Sequence, residues 1–254
     1  MSRFQNKVVI ITGAGSGIGE ATALRFSAEG ASVVLVGRTK KKLDKVAATL
    51  EGDNVMIAPC DISDENAVKD LFRAVIKEFK RVDVLINDAG IFKEGKVQDV
   101  KTKDWREQMA TNVDGYFFMT RAAMPYLIKT KGNVVNVSSV SGLGADWGSV
   151  PYNTSKGAVT NFTKAVALDA GKDGVRVNAV CPSFTRTPLT EDMEDDQKMM
   201  AKFKERIALG RPAEPDDIAK VILFLASDDA GFVTGVAMPV DGGLSASNGQ
   251  PALG

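Results

Sequence analysis

The chain has 254 residues, 44% of them hydrophobic and 25% charged, enough to build one large packed core. Its 32 Lys and Arg offset its 32 Asp and Glu, so no basic footprint marks a nucleic-acid or membrane-surface partner. It has no histidine, which excludes Ser-His-Asp and Cys-His hydrolases, His-ligated zinc and any His general base.

Cys60 and Cys181 are too few for a disulfide framework or a Cys-only zinc site, and they read as buried free thiols. No metal site is expected. No apolar run approaches the roughly 20 residues of a membrane helix. Residues 1–7 do not read as a signal peptide, so the glycosylation-type triplets at Asn136, Asn153 and Asn161 count as chance matches. The expectation is a cytoplasmic protein.

Short β-branched runs occur in order at 8–11, 33–36, 55–58, 84–86, 134–137, 175–180 and 236–240. They are continuously apolar rather than alternating, which suits strands covered on both faces of a parallel sheet. Helical patterns lie between them. Ala67, Leu71, Val75 and Phe79 recur at four-residue steps, and Ala158, Phe162, Ala165 and Val166 form a second stripe between Pro151 and Gly171. Strands alternating with helices predict one α/β domain over residues 1–254, with a doubly wound sheet of seven parallel strands. No linker divides the chain. The small, polar tail from residue 244 to 254 is expected to be loose or to pack on a neighbouring subunit.

The first run leads into Thr12-Gly13-Ala14-Gly15-Ser16-Gly17-Ile18-Gly19. Gly13 permits a tight turn, Gly17 lets a phosphate approach the backbone, and Gly19 lets the following helix pack close to the strand. With the N–H groups and dipole at the helix start, this predicts a dinucleotide site on a Rossmann fold, with Ser16 and Ile18 alongside the glycines. After the second strand, the place of the acid that bonds a ribose 2′-hydroxyl is taken by Gly37, followed by Arg38 and Thr39. A guanidinium fork and a hydroxyl favour a 2′-phosphate, hence NADP(H) over NAD(H). Lys40, Lys41 and Lys42 read as the solvated first turn of the next helix.

Tyr152 and Lys156 stand one helical turn apart, about 6 Å in rise. A free Tyr has a pKa near 10, and a nearby ammonium is expected to pull it toward the working range. Ser139 follows the strand at 134–137, at the sheet end where such folds bind ligands.

These motifs, with Asp61, Asn87-Asp88-Ala89-Gly90, Asn112 and the run from Pro182 to Thr187, come in an order that makes nearly the whole chain resemble the short-chain dehydrogenase/reductase family. Two residues depart from its pattern: Asp88 stands for a second Asn, and Ser183 for a Gly. The resemblance implies that Tyr152 exchanges a proton with substrate oxygen while Ser139 polarises it. It also implies that Lys156 bonds the nicotinamide ribose and Asn112 holds a water in the proton path. Asp61 would accept from the adenine amine and Thr187 would bond the carboxamide, although a helix cap or loop role is the alternative for each. Ile62, Asn87, Ala89, Gly90, Pro182 and Thr185 complete the implied cofactor contacts.

The acidic stretch at 190–196 falls where the family has a substrate lid, or is a solvated helix start. Ser141, Leu143, Trp147, Phe184 and Phe92 are candidate pocket residues, with core packing the alternative for Leu143 and Trp147. The leading expectation is an NADP-dependent carbonyl reductase/alcohol dehydrogenase acting by hydride transfer on a small ketone or alcohol, assembled as a homotetramer. One alternative is an NAD-dependent vicinal-diol dehydrogenase, because segments 141–148, 207–211 and 240–243 are similar to bacterial 2,3-butanediol (acetoin) dehydrogenases. An alternative of another class is a dinucleotide-sensing regulator without chemistry.

Overall fold

The computed structural model describes residues 2–51 and 54–250. Its seven strands are β1 (Val8–Thr12), β2 (Ser32–Gly37), β3 (Val55–Pro59), β4 (Val84–Asn87), β5 (Asn133–Val137), β6 (Arg176–Pro182) and β7 (Ala237–Val240). They form one parallel sheet in the order β3-β2-β1-β4-β5-β6-β7. This is the doubly wound architecture the sequence predicts. Residues 251–254 of the tail lie outside the described residues.

The helices are α1 (Gly17–Ala28), α2 (Lys40–Ala47), α3 (Glu65–Phe79), α4 (Thr102–Met109), α5 (Gly115–Thr130), α6 (Val150–Ala170), α7 (Glu191–Glu194), α8 (Gln197–Arg206) and α9 (Pro215–Ala226). Two cores sandwich the sheet. Val8 and Ile10 of β1 face the one built on α3, α5 and α6, whereas Val9 and Ile11 face the one built on α1, α2 and α9. That division explains why β1 is apolar throughout: alternate side chains point to opposite faces, and both faces are covered. Ile10 and Ile11 are fully buried, each contributing about 1.5–3 kcal/mol of apolar burial.

Local chemistry sets the helix ends. The Asp64 carboxylate accepts the N–H groups of Asn66 and Ala67 at 2.8 and 3.2 Å, starting α3. Lys80, at φ 64°, closes that helix in the left-handed region. Asp196 likewise caps α8, so the acidic stretch at 190–196 supplies the four-residue α7 and the start of the next helix.

The stripe read for α6 is off by one residue. Val159, Thr160, Thr163, Ala167 and Ala170 are buried, whereas Ala158, Phe162 and Val166 are half-buried and Ala165 is exposed. Two threonines belong to the buried face because they bond polar groups of the sheet end: Thr163 Oγ1 accepts from Asn136 at 2.9 Å, and Thr160 lies 2.7 Å from Ser138 Oγ. An apolar count along the sequence passes over them. Among the described residues no helix is long and apolar enough to cross a membrane, and no group of three or more His, Cys, Asp or Glu is placed to hold a metal.

Candidate active site

The strand order reverses between β1 and β4, and their carboxyl ends open onto a cleft, where a doubly wound sheet binds its ligand. Thr12 ties the two ends together. Its hydroxyl donates to Ile86 O at 3.3 Å and accepts the N–H groups of Asp88 and Ala89 at 2.9 and 3.1 Å. Two connected cavities of about 430 and 170 Å³ share Gly13, Ser16, Arg38, Lys42 and Ala89 in their walls, in the size range of small-molecule sites.

The glycine turn is built for close approach. Gly13 and Gly17 have φ of 71° and 58°, values that side chains rarely tolerate. A Cβ on Gly17 would meet Thr187 at 3.0 Å, and one on Gly19 would meet the Gly13 carbonyl oxygen at 2.4 Å. The Ser16 hydroxyl, just before α1, makes no capping bond. A helix start whose N-cap hydroxyl leaves its N–H groups alone, beside a cradle without Cβ atoms, fits a dinucleotide pyrophosphate. Gly17 and Ile18 line the larger cavity, whereas Gly19 is buried beneath it.

At the other end of the larger cavity stand Ser139, Tyr152 and Lys156. Ser139 follows β5; Tyr152 and Lys156 lie in the first two turns of α6. The Lys156 ammonium is buried, donates to Val137 O at 2.7 Å and lies 5.7 Å from the centre of the Tyr152 ring. The Phe92 ring meets Tyr152 edge-on at 5.0 Å.

The expected drop in the Tyr152 pKa does not occur in this geometry. Burial pushes it up to about 12, a hydrogen bond with Ser139 opposes the rise, and the charges of Asp146 and Asp88 add to it. The same desolvation lowers the Lys156 pKa, against the attraction of Asp88. Lys156 lies against the Tyr152 ring and donates a hydrogen bond to a carbonyl, and Asp88 is its principal charged partner. Burial drives the Asp88 pKa upward, against Lys156 and a bond from the Gly19 N–H.

Asn112 lies in a single wide turn, residues Ala110–Asp114, between α4 and α5. Its side chain makes three hydrogen bonds. Oδ1 accepts the Ile91 N–H at 2.9 Å, and Nδ2 donates to Ile91 O and Ser155 Oγ at 3.0 and 3.2 Å. Asn87 is buried behind the cleft, donating to Thr120 and Asn136 at 3.1 and 2.9 Å. Both hold the loop after β4, with Ala89, Gly90 and Ile91 on the cavity wall.

Gly37 ends β2, and Arg38, Thr39, Asp61 and Ile62 surround the smaller cavity. The Asp61 carboxylate accepts the Ser63 N–H and hydroxyl at 3.0 and 2.7 Å. Burial raises its pKa, but the Ser63 bonds and the Arg38 charge outweigh that and hold it low. Lys42, read from sequence as merely solvated, lines both cavities: as the third residue of α2 it is turned back over the glycine loop, where its Cβ would lie 3.0 Å from a Cβ on Gly15. Pro182, Thr185 and Thr187 line the larger cavity with Ser183.

The candidate pocket residues divide. Phe92 touches Tyr152; Phe184 is buried against Phe203 at 4.7 Å; Ser141 is buried behind Ser139, which donates to it at 3.0 Å. Leu143 and Trp147 are exposed, at 44% and 99%, and neither lines the cleft. That corrects the core-packing reading of these two side chains. Their loop turns outward at Gly148, φ 71°, where the Gly148 carbonyl accepts the Gly95 N–H.

A parallel sheet with a glycine cradle and a Ser-Tyr-Lys group at one cleft is the arrangement of the Rossmann class. The chain belongs to the short-chain dehydrogenase/reductase family of oxidoreductases: the family model described as enoyl-(acyl carrier protein) reductase matches residues 13–245. It is 52% identical over 251 residues to meso-2,3-butanediol dehydrogenase of Serratia marcescens, covering 99% of both chains. It is 40% identical over 250 residues to the NADP-dependent (R)-specific alcohol dehydrogenase of Lentilactobacillus kefiri, covering 96% of this chain and 98% of that one. The solved structure of 3-ketoacyl-(acyl-carrier-protein) reductase from Brucella melitensis complexed with NADH superposes with a TM-score of 0.88 at 36% identity, covering 95% of this chain and 99% of that one.

Proposed function

We propose that this protein is an NADP-dependent oxidoreductase that interconverts secondary alcohols and ketones, working as one domain over residues 1–254. The observation that carries the reading is Ser139, Tyr152 and Lys156 on the wall of a cleft whose other wall is the glycine cradle. A bound nicotinamide supplies the hydride donor or acceptor. Gly13, Ser16, Gly17 and Ile18 would hold the pyrophosphate, Asp61, Ile62, Ala89 and Gly90 the adenosine half, and Pro182, Thr185 and Thr187 the nicotinamide end. Arg38 and Thr39, with Lys42, would take a 2′-phosphate.

Tyr152 holds the exchangeable proton at the substrate oxygen, Ser139 orients that oxygen, and Lys156 fixes the ribose. Asn112 acts by pinning Ile91 and Ser155 beside them. Assembly as a homotetramer in the cytoplasm belongs to the same reading, supported by the exposed Phe117 of α5 and Leu168 of α6.

A second reading, a vicinal-diol dehydrogenase using NAD, is favoured by the 52% likeness to the Serratia marcescens enzyme along nearly the full chain. A panel of 2-butanol, 2-butanone, meso-2,3-butanediol and acetoin with both nucleotides tests the two. Ketone-dependent loss of NADPH absorbance supports the first; diol oxidation confined to NAD supports the second. Tyr152→Phe keeps the ring and removes the proton, so kcat is expected to fall about 10²- to 10⁴-fold with cofactor affinity unchanged. Retention of half the wild-type rate would exclude the assignment, and turnover of no panel member would favour a sensor.

A further inference from the structure

The ammonium of Lys156 meets a second tyrosine that the sequence reading passes over. Tyr116, in the first turn of α5, is fully buried, and its ring centre lies 5.6 Å from Lys156 Nζ, against 5.7 Å for Tyr152. Both distances are inside the roughly 6 Å over which an aromatic face attracts a cation. The Tyr116 hydroxyl donates to Val137 O at 3.2 Å, and Lys156 donates to the same carbonyl at 2.7 Å. A carbonyl oxygen has two lone pairs, so one atom at the end of β5 fixes the ring of α5 and the ammonium of α6 side by side. Tyr116 lines neither cavity, so it reaches the chemistry only through Lys156.

Four titratable groups face Lys156: Tyr152 on its own helix, Tyr116 from α5, Asp88 from the loop after β4 and Cys181 from β6. Burial first, then the charges of Asp88 and Tyr152, hold the Tyr116 pKa well above the usual phenol value, so Tyr116 stays a neutral donor. Burial likewise keeps Cys181 a thiol, its pKa pushed up to about 11. Desolvation lowers the Lys156 pKa, and among the described residues Asp88 closes no ion pair with the ammonium. At close range, the contacts that favour ammonium over amine are therefore the Val137 carbonyl and the two rings.

We propose that Tyr116 is a positioning residue that keeps Lys156 charged: its ring holds the ammonium by cation–π attraction, and its hydroxyl holds the ring. The use of that charge in the reaction rests on the oxidoreductase reading above. An ammonium has three N–H groups and an amine two. Val137 takes one, so the charged form keeps two for the dinucleotide ribose and Tyr152, and the neutral form keeps one. Without the ring, Lys156 loses its proton at a pH lower by about one unit, the worth of one aromatic face on a desolvated cation.

The test titrates Lys156 directly, by the carbon-13 signal of its Cε in the full-length, lysine-labelled chain, assigned by its loss in Lys156→Arg. Tyr116→Leu is expected to lower the midpoint by about one pH unit, and Tyr116→Phe, which keeps the ring, to leave it within about 0.3 of a unit. Reduction of 2-butanone and of acetoin, each with NADPH and with NADH, gives the kinetic counterpart. The kcat of Tyr116→Leu relative to wild type is expected to fall about 2- to 5-fold from pH 7 to pH 9, whereas lost packing alone would lower it equally at every pH. If Tyr116→Leu fails to fold, 3,4,5-trifluorophenylalanine in place of Tyr116 decides the matter. Its fluorines strip the negative face at nearly the same shape, and the midpoint is expected to lie at least about 0.5 of a unit below that of Tyr116→Phe. A midpoint in the Leu or trifluoro variant equal to that of Tyr116→Phe overturns the proposal. So does a Phe variant displaced as far as the Leu one, because that assigns the effect to the hydroxyl. A wild-type chain that reduces neither ketone, with the midpoint displaced as expected, overturns only the oxidoreductase reading. An active chain with an undisplaced midpoint overturns only the role of Tyr116.

Discussion

Replacing Gly19 by Ala tests whether the glycine cradle is set by packing. A Cβ there would lie 2.4 Å from the Gly13 carbonyl oxygen and 2.8 Å from Asp88 Oδ2, against an ordinary contact of 3.4 Å or more. The overlap with a backbone atom is therefore at least 1.0 Å, and no side-chain rotation relieves it. Overpacking of this kind costs about 3 kcal/mol, and the better helix propensity of Ala returns about 1 kcal/mol. The net loss of about 2 kcal/mol corresponds to a Tm lower by about 4–8 °C for a chain of this length. Because relief requires the Gly13 turn to move away from α1, dinucleotide affinity is expected to fall at least about 10-fold. Thermal unfolding by circular dichroism and titration calorimetry with NADPH and NADH measure the two effects. Gly171→Ala is the control: that residue has helical φ, and an added Cβ meets nothing within 4 Å. A Gly19→Ala protein with wild-type Tm and affinity would refute the argument.

Arg38→Ala is expected to weaken NADPH binding about 10- to 100-fold, the worth of one charge-assisted phosphate contact, and to leave NADH binding nearly unchanged; equal losses would exclude the 2′-phosphate role. With Tyr152 raised to about 12, the phenolate fraction grows up to about tenfold per pH unit below that value. Alcohol oxidation should thus climb steadily from pH 7 to 9, while ketone reduction, which uses the phenol, stays flat; an acid optimum shared by both directions would contradict it. Asp88→Asn removes a negative charge from the wall of a cleft read as taking a diphosphate and should tighten dinucleotide binding about threefold in low salt, fading as salt rises. Unchanged or weaker binding there would place Asp88 outside the electrostatics of the site.

Much of this protein is legible along the chain because the information is local. The apolar runs announce a sheet covered on both faces, since a strand buried on two sides has no polar position to spare. Gly13, Gly17 and Gly19 announce a turn that side chains would block, and the one-turn spacing of Tyr152 and Lys156 puts both on one helix face before any folding is considered. Tertiary structure alone decides what depends on neighbours distant in sequence. Trp147 has the side chain of a core residue, yet its loop leaves it 99% exposed. Lys42 has the pattern of a solvated turn, yet α2 lays it along the cleft.

The Tyr152 pKa follows first from burial, then from Ser139, Asp146 and Asp88 on two separate loops, so the four-residue step to Lys156 does not set it. Periodicity and turn chemistry are written in consecutive residues, whereas desolvation and the pairing of polar groups exist only once the loops have converged on one cleft.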